Sequence, residues 1–150
     1  MKVTHYAVSR ARSQGVTLIE LLIVIVIVGI LGSIAMSSYR NYVLRANRTE
    51  ARMTLLAIQT AQEKWFVQNN QYAQDVATLV AAPPAGLGIQ IDAAGLTPGG
   101  NYTISFTAAT PTTYTVQAAA TGAQVDDTPC PTLTIDQNAT RTPAASTCWR

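Results

Sequence analysis

From Leu21 to Tyr39 the chain carries no charged residue. About 19 residues at ~1.5 Å each give a helix of about 28 Å, close to the ~30 Å hydrocarbon thickness of a bilayer. A core helix of a soluble domain shows a polar stripe, and this stretch has none. It therefore reads as a membrane-crossing helix. Just ahead of it stands one carboxylate, Glu20, in Gly15-Val16-Thr17-Leu18-Ile19-Glu20. An ionised acid at the bilayer centre costs about 2.5–3.5 kcal/mol on insertion scales, so this acid calls for a partner.

Residues Met1 to Gly15 hold Lys2, Arg10 and Arg12 and no acid. An ordinary secretory signal places its small-residue cleavage site after the apolar run. Here the small residue, Gly15, comes first, so the apolar run is expected to be retained and any cut to fall ahead of it. Arg40, Arg45 and Arg48 flank the other end, which leaves the positive-inside comparison near a tie. Two cysteines, Cys130 and Cys148, break that tie in favour of a C-terminal part outside the cytoplasm. They read either as a disulfide, closing a loop of about 19 residues with roughly 3 kcal/mol of stabilisation, or as two buried thiols. A membrane-anchored chain with a polar tail favours the bridge.

The 150 residues suffice for one compact domain plus an extension, and a net charge of +2 with few bases after Arg52 gives no concentrated basic patch for nucleic acid. The single histidine, His5, lies in the basic leader, and no serine or threonine has an evident activating base. No Cys-x-x-Cys, Gly-x-Gly-x-x-Gly or phosphate loop occurs. Asp126-Asp127 beside Thr128 reads either as a weak cation site or as a solvated loop acid pair, and the solvated reading is favoured because isolated acid pairs in loops are usually solvated. No catalytic residue, metal or cofactor is expected. Asn101-Tyr102-Thr103 and Asn138-Ala139-Thr140 fit the N-glycosylation acceptor pattern, which is common by chance.

Past Tyr39 the helix is expected to continue to about Phe66, since no Pro or Gly interrupts Ser33 to Phe66. Ala51, Leu55, Ile58, Ala61 and Trp65 recur at helical spacing as the buried face, with Arg48, Arg52, Gln59 and Gln62 largely elsewhere. Gly29, Ser33 and Ser37 form a small-residue stripe that either permits close helix approach in lipid or is simply tolerated there. Breakers follow at "AAPPAGLG" and "LTPGGN". Tyr102, Ile104 and Phe106 then alternate in strict order, as do Tyr114 with Val116 and Leu133 with Ile135. These predict three antiparallel strands, the first two joined as a hairpin at Pro111, with one face on the amphipathic helix. The tail "NATRTPAASTCWR" lacks periodicity, and Trp149 either covers the cysteine bridge or faces a partner, packing being the favoured reading.

With its basic leader and apolar helix, the stretch Gly15 to Glu20 resembles the class III signal of type IV pilins and pseudopilins. "YRNYVLRANRTEARMTLLAIQTAQEKWFVQNNQYA" resembles minor pilins of the PilE type, and the C-terminal cysteine pair is similar to the disulfide-bounded loop of type IV pilins. The chain differs in having Val16 where the family usually has Phe, and Ser37 where many members have proline. The resemblance implies an α+β pilin fold: a long N-terminal helix, its first half transmembrane, on a small antiparallel sheet with a disulfide-bounded loop. It implies a leader (1–15), a transmembrane and polymerisation helix (16–39) and a globular domain (40–150). It further implies cleavage between Gly15 and Val16 by prepilin peptidase, N-methylation of Val16, and an assembly role for Glu20 opposite a neighbouring subunit's N-terminal amine. The expected partners are other pilin subunits, that peptidase and an inner-membrane assembly platform, with nucleic acid met only through the filament. The subunit would lie in the bacterial inner membrane, its domain periplasmic, and then in a surface pilus for adhesion, twitching motility or DNA uptake. The alternatives are a type II secretion pseudopilin, against which the cysteines argue, and a single-pass binding protein that never polymerises.

Overall fold

The computed structural model describes residues 15–144 and 146–150. The leader expected at 1–15 lies outside them but for Gly15. The main helix, α1, runs Leu18–Asn69. It ends where Asn70 takes a positive φ of 56° and its N–H donates to the Phe66 carbonyl at 2.8 Å. A left-handed asparagine with that bond is a common helix stop.

The chain divides into two compact units, residues 1–39 and 40–150. In the first, α1 is the only regular element among the described residues, and every large apolar side chain from Val16 to Met36 is at least half exposed.

In the second unit α1 supplies one wall of a core. Ala51, Leu55 and Ile58 are fully buried, while Ala61 and Trp65 are half-buried. The stripe differs from the periodicity in two places: Arg48 and Gln62, expected away from the buried face, are both buried in it. Gln62 is tolerated because both ends of its amide are satisfied. Its Nε2 donates to the Ala73 carbonyl and its Oε1 accepts from the Ala73 N–H, each at 2.8 Å. A buried polar group paired in this way avoids the roughly 1–3 kcal/mol cost of an unmet hydrogen bond.

After α1 a short helix, α2 (Val76–Val80), starts at Asp75, whose carboxylate accepts from Thr78 N at 2.6 Å. The sheet follows as β1 (Tyr102–Ala109), β2 (Tyr114–Ala120), β3 (Thr132–Asp136) and β4 (Arg141–Thr142), antiparallel throughout and in chain order. Three strands and the hairpin at Pro111 agree with the sequence pattern, whereas β4 and α2 were not anticipated. Strict alternation in β1 fails at its end. The register shifts between Phe106 and Ala108, so Tyr102 and Ile104 are buried but Phe106 only half so. An extra residue in one strand of a pair bends it and re-aims its side chains.

The inward sheet face joins Tyr114, Val116, Leu133 and Ile135 to the α1 stripe. Each such aliphatic side chain, fully buried, contributes about 1.5–3 kcal/mol. Tyr72 bridges helix end and sheet, with ring centroids 4.6 Å from Phe66 and 4.9 Å from Tyr114. Gly95, at φ +85°, has room only for hydrogen: a Cβ there would lie 2.3 Å from the Ile104 carbonyl oxygen. That approach lets the segment before β1 bridge to it at Leu96 and Thr103.

Candidate functional site

The processing motif sits at the start of α1. Gly15, Val16 and Thr17 precede the helix and are exposed. Thr17 caps it: its Oγ1 accepts from the Glu20 N–H at 3.3 Å and its carbonyl from the Leu21 N–H at 3.2 Å. Thr-x-x-Glu just ahead of an apolar run is the sequence pattern of a capping box. Residue type alone, Thr17 three residues ahead of Glu20, thus marks the helix start, a signal that apolar periodicity does not carry. Glu20 lies in the first turn, where a carboxylate is favoured by the helix dipole. Val16 and Glu20 are four residues apart, the spacing at which a helix places neighbours on one face.

On either side of Glu20 the apolar segment lacks intrachain cover. Leu18, Ile19, Val24, Ile27, Leu31 and Ile34 are 51–84% exposed. A Cβ added at Gly29 or Gly32 would meet nothing within 4 Å, so no contact within the chain requires glycine there. Ser33 Oγ returns its hydrogen bond to the Ile30 carbonyl at 2.8 Å, which removes its polarity from the helix surface. Among the described residues one helix, α1, is long and apolar enough to cross a membrane. Exposed apolar surface on this scale needs lipid or another protein against it.

In the second unit a polar network ties α1 to the segments around the sheet. Arg48 Nε donates to Asp127 Oδ2 at 2.5 Å while Nη2 donates to Oδ1, and Nη1 reaches the Thr147 carbonyl at 3.1 Å. Asp127 is 1% exposed. This corrects the solvated reading of the Asp126-Asp127 pair: Asp127 is buried in a two-pronged guanidinium–carboxylate contact, and Asp126 pairs with Arg40 at the surface. The hydrogen bonds that Arg48 donates to the Asp127 carboxylate hold its pKa above the ordinary value. Gln124 Nε2 lies 3.0 Å from the Leu44 carbonyl, 3.0 Å from the Tyr102 hydroxyl and 3.1 Å from Asp127. Asn47 bridges Gln124 and Asn101, and Glu50 accepts from the Gly99 N–H at 2.5 Å. A side chain at Gly99 would collide with that carboxylate. Tyr102 is pushed up to about 12, first by burial and then by the Asp127 charge.

Cys130 and Cys148 are bonded, 5.7 Å apart at Cα, which settles between a bridge and two buried thiols. The bridge holds α3 (Ser146–Trp149), where Trp149 packs half-buried on the core with Arg141 5.2 Å from its ring centroid. Beside it is an open cleft of about 480 Å³ lined by Arg45, Arg48, Pro129, Thr147 and Arg150. The chain thus gathers guanidinium groups that are scattered in sequence, a grouping invisible in the thinning of basic residues after Arg52. Among the described residues no cluster of His, Cys, Asp and Glu has the makings of a metal site.

A family model described as type IV minor pilin ComP, DNA uptake sequence receptor, matches residues 37–134, and one described as the prokaryotic N-terminal methylation motif matches residues 10–36. The chain is 37% identical over 75 residues to the type IV major pilin protein PilA of Myxococcus xanthus, covering 50% of this chain and 34% of that one. It is 35% identical over 75 residues to the type IV major pilin protein PilE1 of Neisseria gonorrhoeae, covering 49% and 46%. These matches therefore span between a third and a half of the relatives' length. A solved type IV pilin from Shewanella oneidensis shares the fold, with a TM-score of 0.50 at 23% identity over 71% of this chain and 98% of that one.

Proposed function

The chain belongs to the type IV pilins, in the minor pilin ComP family, and from that membership we propose that it is a non-catalytic structural subunit of a type IV pilus. The observation that carries the reading is the uncovered apolar face from Leu18 to Ala35, set directly behind a processing motif. Prepilin peptidase cuts between Gly15 and Val16, and Val16 becomes the N-methylated first residue. Residues 16–39 hold the subunit in the inner membrane as a single span, with residues 40–150 in the periplasm. The assembly platform then draws it into a filament, where neighbouring helices replace lipid. Glu20 meets the amine of an adjacent subunit. At a few ångströms an opposite charge offsets the cost of a carboxylate away from water.

The partners are other pilin subunits, alike or different. Deleting the gene and imaging surface filaments by electron microscopy, then probing sheared filaments for this chain, tests the reading. The chain is expected in the sheared fraction. Filaments that form normally and never contain it contradict a subunit role.

The family description and the Arg45–Arg48–Arg150 cleft support a narrower role, contact with DNA during uptake. Arg48 is committed to Asp127, which leaves Arg45 and Arg150 as the exposed cations for phosphates. Phosphate contacts of this kind weaken steeply with salt. Replacing both by Ala should lower DNA retention by intact pili and flatten its salt dependence. Unchanged retention removes the cleft from the DNA-binding surface.

A further inference from the structure

We propose that Asn138 is an acceptor for an N-linked glycan. Two segments fit the acceptor pattern, and the fold separates them. In Asn101-Tyr102-Thr103 the amide is engaged at both ends: Oδ1 accepts from Asn47 and Nδ2 donates to Glu50, each at 3.3 Å. Tyr102 is fully buried, and Thr103, in β1, is paired with Ala119 of β2. Reaching Asn101 would mean dismantling the network that ties α1 to the sheet.

Asn138-Ala139-Thr140 has the opposite character. It forms the connection between β3 and β4, and all three residues are exposed. The turn is fixed through Asp136, whose Oδ1 accepts from the backbone N–H of Asn138 and of Thr140, each at 2.8 Å. The Ala139 N–H donates to the Asp136 carbonyl at 3.0 Å, and Ala139 takes φ +60°. A type I turn closed by a left-handed residue is a standard three-residue hairpin connection. The side chain that builds this turn is therefore Asp136, and the amide of Asn138 is presented to solvent without being needed for the fold. An acceptor asparagine in an exposed turn of an exported domain is the setting such modification requires. The Cys130–Cys148 bond fits the domain to an oxidising compartment outside the cytoplasm.

The donor class is a polyprenyl-diphosphate-linked oligosaccharide, used by a membrane-bound oligosaccharyltransferase. The Asn138 amide nitrogen attacks the anomeric carbon and an N–C bond forms. The bond from that carbon to the diphosphate oxygen breaks, the polyprenyl diphosphate leaves with the electron pair, and the amide proton passes to a base of the transferase. Neither oxidant nor reductant is involved. β4 is the last strand of the sheet. A hydrophilic glycan beside it would cover an edge that otherwise offers free backbone groups for pairing with another chain.

The test is site-localising mass spectrometry of peptides spanning residues 136–141, from full-length protein purified from cells that make it naturally. A sugar mass on the Asn138 amide is expected. It should fall to background in Asn138→Gln and Thr140→Ala and persist in Asn101→Gln. Formation of the Cys130–Cys148 bond in each variant shows that the domain has folded. The proposal rests on export of the domain and not on polymerisation. An unmodified peptide from protein whose bridge is formed and whose N-terminus is processed overturns the glycan and leaves the pilus reading standing, as does a sugar found on Thr140 instead. An intact leader with no bridge would contradict export itself and remove both.

Discussion

Arg48 and Asp127 meet through two parallel N–H···O contacts, buried between α1 and the segment that precedes the disulfide. Their side chains are only 10% and 1% exposed. Replacing either one alone strands a charge away from water, at a typical cost of about 3–5 kcal/mol. Arg48→Met or Asp127→Ala should therefore lower the denaturation midpoint sharply, and the double variant should recover part of the loss. A double-mutant cycle by chemical denaturation measures this coupling. The Arg40–Asp126 pair, with side chains 66% and 54% exposed, should give at most about 1 kcal/mol in the same cycle.

Tyr102 predicts how the domain responds to base. It is fully buried, and its hydroxyl group is raised to about 12 from an ordinary value near 10. A pKa raised in the folded state means that the folded form holds the proton more tightly. The associated stability is complete below about pH 10 and is lost as pH rises through about 12. Burial raises Tyr114 in the same direction. Circular dichroism between about pH 9 and 12.5 should follow an alkaline unfolding transition, and Tyr102→Phe should make the loss of stability over that interval shallower. An unchanged profile in the variant would assign the transition to other groups.

The Cys130–Cys148 bridge closes a loop with a sequence separation of 18. Chain-entropy arithmetic gives about 3 kcal/mol for a loop of this length. Cys148→Ser should lower stability by about that amount. Amide exchange should rise first around α3 and β4, while the β1–β2–β3 ladder, which carries Tyr114, Val116, Leu133 and Ile135, stays protected. Uniform loss of protection across the sheet would mean that the bridge also determines the core.

Glu20 allows two roles to be told apart. A capping glutamate or glutamine at this position serves the helix start almost equally well. Pairing with an ammonium group needs the charge. Glu20→Gln and Glu20→Ala should both reduce entry into filaments, measured as the ratio of subunit in sheared pili to subunit in membranes. Normal entry of the Gln variant would reduce Glu20 to a helix-start residue.

Much of this was legible in the chain because it rests on local pattern. An uncharged stretch from Leu21 to Tyr39 gives a membrane-length helix whatever surrounds it. Alternation around Ile104, Val116 and Ile135 gives strands, and Pro111 places the hairpin. The features that escaped were those whose partners lie far along the chain. Arg48 and Gln62 look like surface residues until Asp127 and the Ala73 backbone are brought to them. Asp127 looks like a solvated loop acid for the same reason. The cleft of Arg45, Arg48 and Arg150 exists because the bridge returns the C-terminus to α1 within the second unit. The register shift after Phe106 leaves no mark of its own in the small residues Thr107, Ala108 and Ala109 that follow it. Two-residue β4 is too short to show a period at all.

The most direct measurement is intact-mass and N-terminal peptide analysis of pili sheared from the cell surface. The account predicts a chain that begins at an N-methylated Val16 and is present as a filament component. A chain found only in membranes and still carrying Met1 to Gly15, with filaments intact without it, would contradict the account.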